Sequence, residues 1–331
     1  MRTIKTCILA VGTLAFLQAQ VYAKSIELCV FDLIGVNGPT MSTAKDYVLY
    51  AKQNTVDINL KFYSNFKQLT TDFEQKKCDG IVGDNFGTRK YNNFMATIGA
   101  IAAIPNYQLA QQIFNAVSTQ RLAYKMRTAE YEVVGYMPYG FAYLAGTDRS
   151  INNLDKAKGL KVGVLEVDPT QRRMAERVGM VPVLMTIDDA PARFSKGEFD
   201  VVPVPAIVYE PFEGEKVLGK NGGIVKYPIA LMTMNFILRR DTFPAEFGQK
   251  SREWFVKRSP QMFRTAMQWD ATIPKHVWVE ISDMDIKSYE HLAFQLRKEF
   301  IENKVYDRVM MNLIRHLRCK QNPAFVECSV K

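Results

Sequence analysis

Apolar and polar positions fall along this chain in two similar blocks. In residues 26–32, IELCVFD, a mostly apolar run ends in a carboxylate and reads as a buried strand. Residues 43–52 carry Tyr47, Leu49, Tyr50 and Ala51 at helical spacing, and residues 59–63, NLKFY, alternate as a strand does. Residues 66–75 place Phe66, Leu69 and Phe73 on one helical face, and residues 79–82 read as another buried strand. The order is β-α-β-α-β, the pattern of a parallel sheet with helices on its faces.

The second block repeats that order. Strands are expected at 160–167, 181–185 and 199–202, with helices at 170–178 and 188–194. Pro169 suits the first position of its helix. The junctions also match. Phe73 closes one helix and Asp79 opens the next strand six positions later; Phe194 and Asp200 repeat the spacing. Chance is the plain alternative for one junction, and agreement of the whole order argues against it. Two similar α/β lobes imply a cleft between them, with ligands beyond the carboxyl ends of the strands.

Two extended segments, 133–144 and 231–239, are expected to cross between the lobes and form a hinge. The chain then turns helical, with apolar residues at helical intervals over 245–257 and 290–318. Lobe one is therefore expected to comprise residues 24–140 and 233–331, including the C-terminal helices, and lobe two residues 141–232.

Length fits this division, since 331 residues exceed what one core usually organises. The N-terminus stands apart from it. Arg2 and Lys5 precede TCILAVGTLAFLQAQVYA, a stretch too short and too interrupted by Gln18 and Gln20 to span a bilayer. Val21 and Ala23 suit a cleavage site, so residues 1–23 are expected to be a signal peptide, the mature chain to start at Lys24, and the protein to be exported. Cys29, Cys78, Cys319 and Cys328 then remain, an even number in an exported chain. Neighbouring parallel strands favour a 29–78 bridge and the tail turn favours 319–328, with free buried thiols as the alternative.

The formal net charge of +9 becomes +7 once Arg2 and Lys5 leave with the signal. Lys and Arg are spread along the chain, so no nucleic-acid partner is expected. His276, His291 and His316 are the three histidines, without zinc-ligand spacing; no metal, cofactor or catalytic set is expected. GKNGG at 219–223 reads as a surface turn.

KKCDGIVGDNFGTRKYNNF, residues 76–94, places polar groups just beyond a buried strand. Gly83 lets the chain turn off the strand, so Asp84, Asn85, Arg89 and Tyr91 can face the cleft. Asp32, Tyr107, Tyr139, Glu166, Pro203, Tyr209 and Asn235 complete the candidate ligand-binding set, with Asp168 beside Glu166. Each also has a structural reading: the carboxylates as helix caps, the tyrosines as core.

The segment GLKVGVLEVDPTQRRMAERVGMVPVLMTIDDAPARFSKGEFDVV resembles the periplasmic solute-binding proteins of TRAP transporters, through Gly159-Leu160-Lys161, the 179–183 strand entry and Gly197-Glu198-Phe199-Asp200. MNFILRRDTFPAEFGQKSREWF, with Asn235 and Thr242-Phe243-Pro244, resembles a later region of that family. The likeness covers most of the mature chain and is weaker in lobe one. CDGIVGDNFGTRKYNNF is closer still to the AdeT-type proteins, a solute-binding group also labelled as components of RND-type efflux linked to aminoglycoside resistance.

The resemblance implies a periplasmic-binding-protein-like α/β fold of two lobes, each a mostly parallel sheet flanked by helices, joined by crossing hinge strands and followed by C-terminal helices. It implies capture of a small-molecule solute in the interlobe cleft and delivery to an inner-membrane transporter, without chemistry. The alternative is a soluble accessory protein that binds efflux components and does not itself span the membrane. The family carries an Arg two residues after its Lys, paired with a substrate carboxylate; this chain has Gly163 there. A cationic or polyol ligand follows from that change and from the excess of acidic candidates, while Arg89 leaves an anionic one open.

Overall fold

Two strand-helix repeats joined by two long strands make up the computed structural model, which describes residues 25–329. The expected signal peptide at 1–23 lies outside the described residues. The first repeat runs β1 (Ile26–Phe31), α1 (Pro39–Gln53), β2 (Ile58–Tyr63), α2 (Phe66–Glu74) and β3 (Gly80–Asp84). The helices α3 (Asn93–Ala96) and α4 (Tyr107–Val117) lead to the long strand β4 (Tyr131–Gly146). The second repeat follows α5 (Leu154–Ala157) as β5 (Lys161–Leu165), α6 (Pro169–Val178), β6 (Val181–Met185), α7 (Ala190–Ser195) and β7 (Val201–Pro205). After α8 (Gly214–Leu218) comes β8 (Gly223–Arg239), then α9 (Phe247–Thr272), β9 (Trp278–Val279), α10 (Asp283–Glu302) and α11 (Arg308–Gln321).

Among the described residues the strands form one sheet in the order β2-β1-β3-β8-β4-β7-β5-β6, with β9 beside β8. Each repeat is parallel within itself: β1 pairs with β2 and β3, and β5 with β6 and β7. The long strands are antiparallel to each other from Tyr131 opposite Arg239 to Gly146 opposite Gly223. β3 joins the Met234–Leu238 end of β8, and β7 joins the Ala142–Gly146 end of β4. The lobes therefore share the two crossing strands expected between them.

The matched junctions have a common physical role. Asp79 accepts the Glu27 N–H through Oδ2 at 3.0 Å, and Asp200 accepts the Lys161 N–H the same way at 2.8 Å. Each carboxylate thus satisfies a backbone donor at the start of the strand that opens its repeat. Helix starts follow their side chains too. Asp168 Oδ1 accepts from the Thr170 N–H at 3.1 Å, Pro169 occupies the first turn of α6, and Gly179 ends the helix at φ +84°. The disulfides join Cys29 in β1 to Cys78 before β3, and Cys319 in α11 to Cys328, as expected.

Two expectations about helices change, and one helix was not expected. The helix expected at 245–257 continues as α9 to Thr272 through Pro260, because Phe263 and Ala266 keep burying its inner face after the proline. Gly135 makes room for it: a Cβ there would lie 2.0 Å from the Phe255 ring. The run expected at 290–318 is two helices, broken where Lys304 turns to φ +59° and Asp307 caps α11. α4 goes unread in the sequence, although Leu109, Ala110, Ile113 and Phe114 bury one of its faces.

Candidate functional site

The cleft between the lobes holds a cavity of about 110 Å³. That volume accommodates roughly eight water-sized groups, enough for a small organic molecule. Lobe one supplies Leu33 and Phe86, lobe two supplies Met174, Met185, Phe194 and the 202–206 segment, and the long strands supply Tyr143, Ala230 and Met232. The wall is overwhelmingly apolar, as expected of a site that gains affinity by removing apolar surface from water. Asp168, Thr170, Gln171, Tyr143 and Tyr209 interrupt it.

α6 brings the polar groups to the cavity because its first turn begins directly beyond the carboxyl end of β5. Asp168 is 1% exposed. Its Oδ1 accepts from the Thr170 N–H and from the Thr170 hydroxyl at 2.8 Å, while the buried Oδ2 has no hydrogen-bond partner. The Tyr209 hydroxyl is likewise buried and unpartnered, and burial pushes its pKa up. An unpaired polar atom in such a wall costs free energy that a ligand group can recover.

Several polar contacts fasten lobe two to the elements facing it. Arg89 Nη2 lies 3.8 Å from Asp168 Oδ1, and its Nη1 donates to the Val305 carbonyl at 3.1 Å. Asn65 Nδ2 donates to Asp188 at 3.0 Å, and Arg173 Nε donates to Glu299 of α10 at 2.7 Å. The lobes thus meet around the cavity.

The remaining expected site residues are dispersed. Pro203 and Tyr209 line the cavity. Asp84 and Glu166 meet across a smaller cleft of about 60 Å³ with Lys67 and Val167. Asp84 also accepts the Phe86 and Gly87 N–H groups at 2.9 and 3.0 Å, and burial pushes its pKa up. Asp32 is fully buried and accepts the Ile34 and Met41 N–H groups, both at 3.0 Å; burial raises its pKa as well. Asn85 Oδ1 accepts the Thr233 N–H at 2.9 Å, and Asn235 Nδ2 donates to Thr88 at 3.2 Å, so both asparagines tie the end of β3 to β8.

The other tyrosines pack into the core. Tyr91 lies edge-on to Phe73 and Tyr131, Tyr107 packs on Phe141 and Phe263, and Tyr139 meets Trp269. A phenol ring buries much apolar surface against such neighbours, and the buried Tyr139 hydroxyl has no hydrogen-bond partner. The sequence reading misses most of the cavity wall. Met174, Met185 and Phe194 look like ordinary core positions, and only their place beyond the strand ends of a second repeat distinguishes them.

Among the described residues no His, Cys, Asp and Glu side chains group as a metal site, and no helix is long and apolar enough to cross a membrane. Two α/β lobes on a shared pair of crossing strands, with an apolar cavity between them, define a two-lobed binding-protein fold. The sequence matches the pattern of the family described as solute-binding protein AdeT 1/2 over residues 49–331, and the chain belongs to that family.

It is 35% identical to probable solute-binding protein AdeT1 of Acinetobacter baumannii over 301 residues, which cover 91% of this chain and 99% of that protein. It is 28% identical to probable solute-binding protein AdeT2 of the same organism over 234 residues, 71% of this chain and 98% of that protein. Among solved structures it resembles a TRAP periplasmic solute-binding protein from Ralstonia eutropha H16 with bound (S)-2-acetolactate, at a TM-score of 0.72 and 12% identity over 89% of this chain and 98% of that one. A TRAP periplasmic solute-binding protein from Desulfovibrio salexigens with bound orotic acid is similar at a TM-score of 0.73 and 11% identity, covering 89% and 97%. These structural likenesses establish the fold.

Proposed function

We propose that the protein is exported to the periplasm, closes its lobes around one small molecule and presents it to an inner-membrane transporter, without chemical change to the solute. The cavity carries this reading: both lobes and both long strands wall it, and two of its buried polar atoms lack partners. Polar contacts around the cavity, Arg89 to Asp168 and Asn65 to Asp188, join side chains from opposite lobes. Family membership and the solutes bound by the TRAP neighbours point the same way.

Native mass spectrometry of the mature chain, prepared gently from periplasm, tests the reading. A discrete mass excess that is lost on unfolding is the expected result. Bare protein, together with no thermal stabilisation by any member of a broad metabolite screen, would refute it. A ligand at 100 times its dissociation constant should add about 2.7 kcal/mol.

A further inference from the structure

Within the solute-binding reading, on which this rests, we propose that the ligand is a small hydrophobic amine. Its ammonium meets Asp168 Oδ2 and its apolar body lies against the cavity wall. Asp168 is the one charged side chain among the described residues that line the cavity. Its Oδ1 is already engaged by Thr170, so Oδ2 is the carboxylate oxygen left for a ligand. Arg89 Nη2 pairs with Asp168 Oδ1 at 3.8 Å, beyond hydrogen-bond distance; Nη1 donates to the Val305 carbonyl and Asn93, while Nη2 and Nε are buried without hydrogen-bond partners and Arg89 does not line the cavity. Asp84 is a second buried carboxylate near enough for the Asp168 charge to act on it, so this end of the cleft is rich in acidic groups. A ligand ammonium entering here gives the unpartnered Oδ2 a charged donor at close range, which the long Arg89 contact to Oδ1 does not supply.

The same geometry argues against a carboxylic acid. A carboxylate entering the cavity would meet the Asp168 carboxylate and no lining cation. A longer side chain has no room at Gly163, where a Cβ would lie 2.7 Å from Met185 Sδ and 3.1 Å from the Phe199 ring. Burying an unpaired carboxylate beside another carries a large penalty. The apolar wall, with Met174, Met185 and Phe194, selects an aryl or alkyl body over a polyol.

Titration calorimetry of the mature chain with 2-phenylethylamine, 2-phenylethanol and 3-phenylpropionate tests the proposal. The amine should bind about tenfold more tightly than the alcohol, and the acid weakest of the three. Asp168→Asn keeps a helix-capping oxygen and should abolish the preference for the amine over the alcohol, lowering amine affinity about tenfold more than alcohol affinity. Tyr209→Phe leaves α6 untouched and should weaken amine and alcohol alike.

The proposal is overturned if the acid binds best, if amine and alcohol bind equally to the unaltered chain, if Asp168→Asn preserves the amine preference, or if none of the three binds. A co-purifying acid or neutral solute in the native mass spectrum would overturn the amine assignment and leave solute binding standing. A chain that retains nothing and responds to no solute would end both.

Discussion

Arg89, just beyond the last strand of the first repeat, reaches across the cleft to Asp168 at the start of α6, with Nη2 3.8 Å from Oδ1. Lobe closure therefore brings opposite charges together in a nearly dry place. Arg89→Gln should lower stability by about 1–3 kcal/mol, because Asp168 loses its nearest cation while staying buried. It should also shift the lobes apart. Denaturant unfolding reads the first effect and the radius of gyration in small-angle scattering reads the second. An unchanged radius would mean that the pair does not govern closure.

Gly163 offers a separate check of the packing. Its missing side chain is filled by Met185 and Phe199. Gly163→Ala should cost about 1–3 kcal/mol by overpacking. Gly163→Arg should cost more and should confer no affinity for succinate, as calorimetry would show. Tight succinate binding by that variant would mean the site can rearrange around a new guanidinium.

The buried pair between Arg252 of α9 and Glu132 of β4 anchors the long helix to the sheet. Arg252 Nη1 lies 2.6 Å from Glu132 Oε1 and donates to the Val133 carbonyl at 2.9 Å, and Arg252 is fully buried. Arg252→Ala leaves the buried Glu132 carboxylate with Arg127 alone, whose Nε lies 2.9 Å from Oε2, and should destabilise the chain by about 1–3 kcal/mol in urea unfolding. A loss below about 1 kcal/mol would show that water reaches Glu132 freely.

Asp270 sets a pH dependence of definite sign. Burial pushes its pKa from 3.8 up to about 6, partly opposed by hydrogen bonds with Tyr107 and Tyr143. Between those values the folded chain holds a proton that the unfolded chain has released. This group therefore adds stability as pH falls from 7 towards 4, and its penalty is complete above about pH 6. Asp270→Asn should be more stable than the unaltered chain at pH 7, by up to about 3 kcal/mol, and the gain should shrink at pH 4.5. Unfolding curves at both values decide it; a gain that grows on acidification would reverse the sign.

The tail disulfide supports the cavity from a distance. Cys328 holds Glu327 in place, and Glu327 pairs with Arg297 and Arg318. Arg297 donates to the Ile101 carbonyl at 2.9 Å, Arg318 donates to the Ala102 and Ala103 carbonyls at 3.1 Å, and Ile101 lines the cavity. Replacing both Cys319 and Cys328 with Ser should cost about 2–3 kcal/mol and speed amide exchange at residues 101–103. Unaltered exchange there would confine the disulfide to the tail.

The repeat was legible in sequence because strands and helices differ in period, and because Asp79 and Asp200 perform the same backbone task in each lobe. The disulfides were legible because parallel neighbours bring Cys29 near Cys78. The site was much less so. A buried carboxylate reads alike whether it caps a turn, as Asp32 does, or leaves an oxygen unpaired in a cavity, as Asp168 does. Three-dimensional neighbours decide between these roles. The break between α10 and α11 was hidden because apolar residues continue at helical spacing across it, while the turn at Lys304 depends on backbone conformation.

The two crossing strands are hydrogen-bonded to each other along their length, and their register shifts at Val133/Gly135, Pro138/Gly140 and Ala142/Leu144. Gly140 sits at one shift with φ +95°, a conformation that costs most other residues strain. With α9 packed on β4, any change in the angle between the lobes has to twist a hydrogen-bonded ribbon and cannot turn about a single bond. The strength with which the protein grips its cargo is then tuned partly by backbone stiffness far from any atom that touches the cargo.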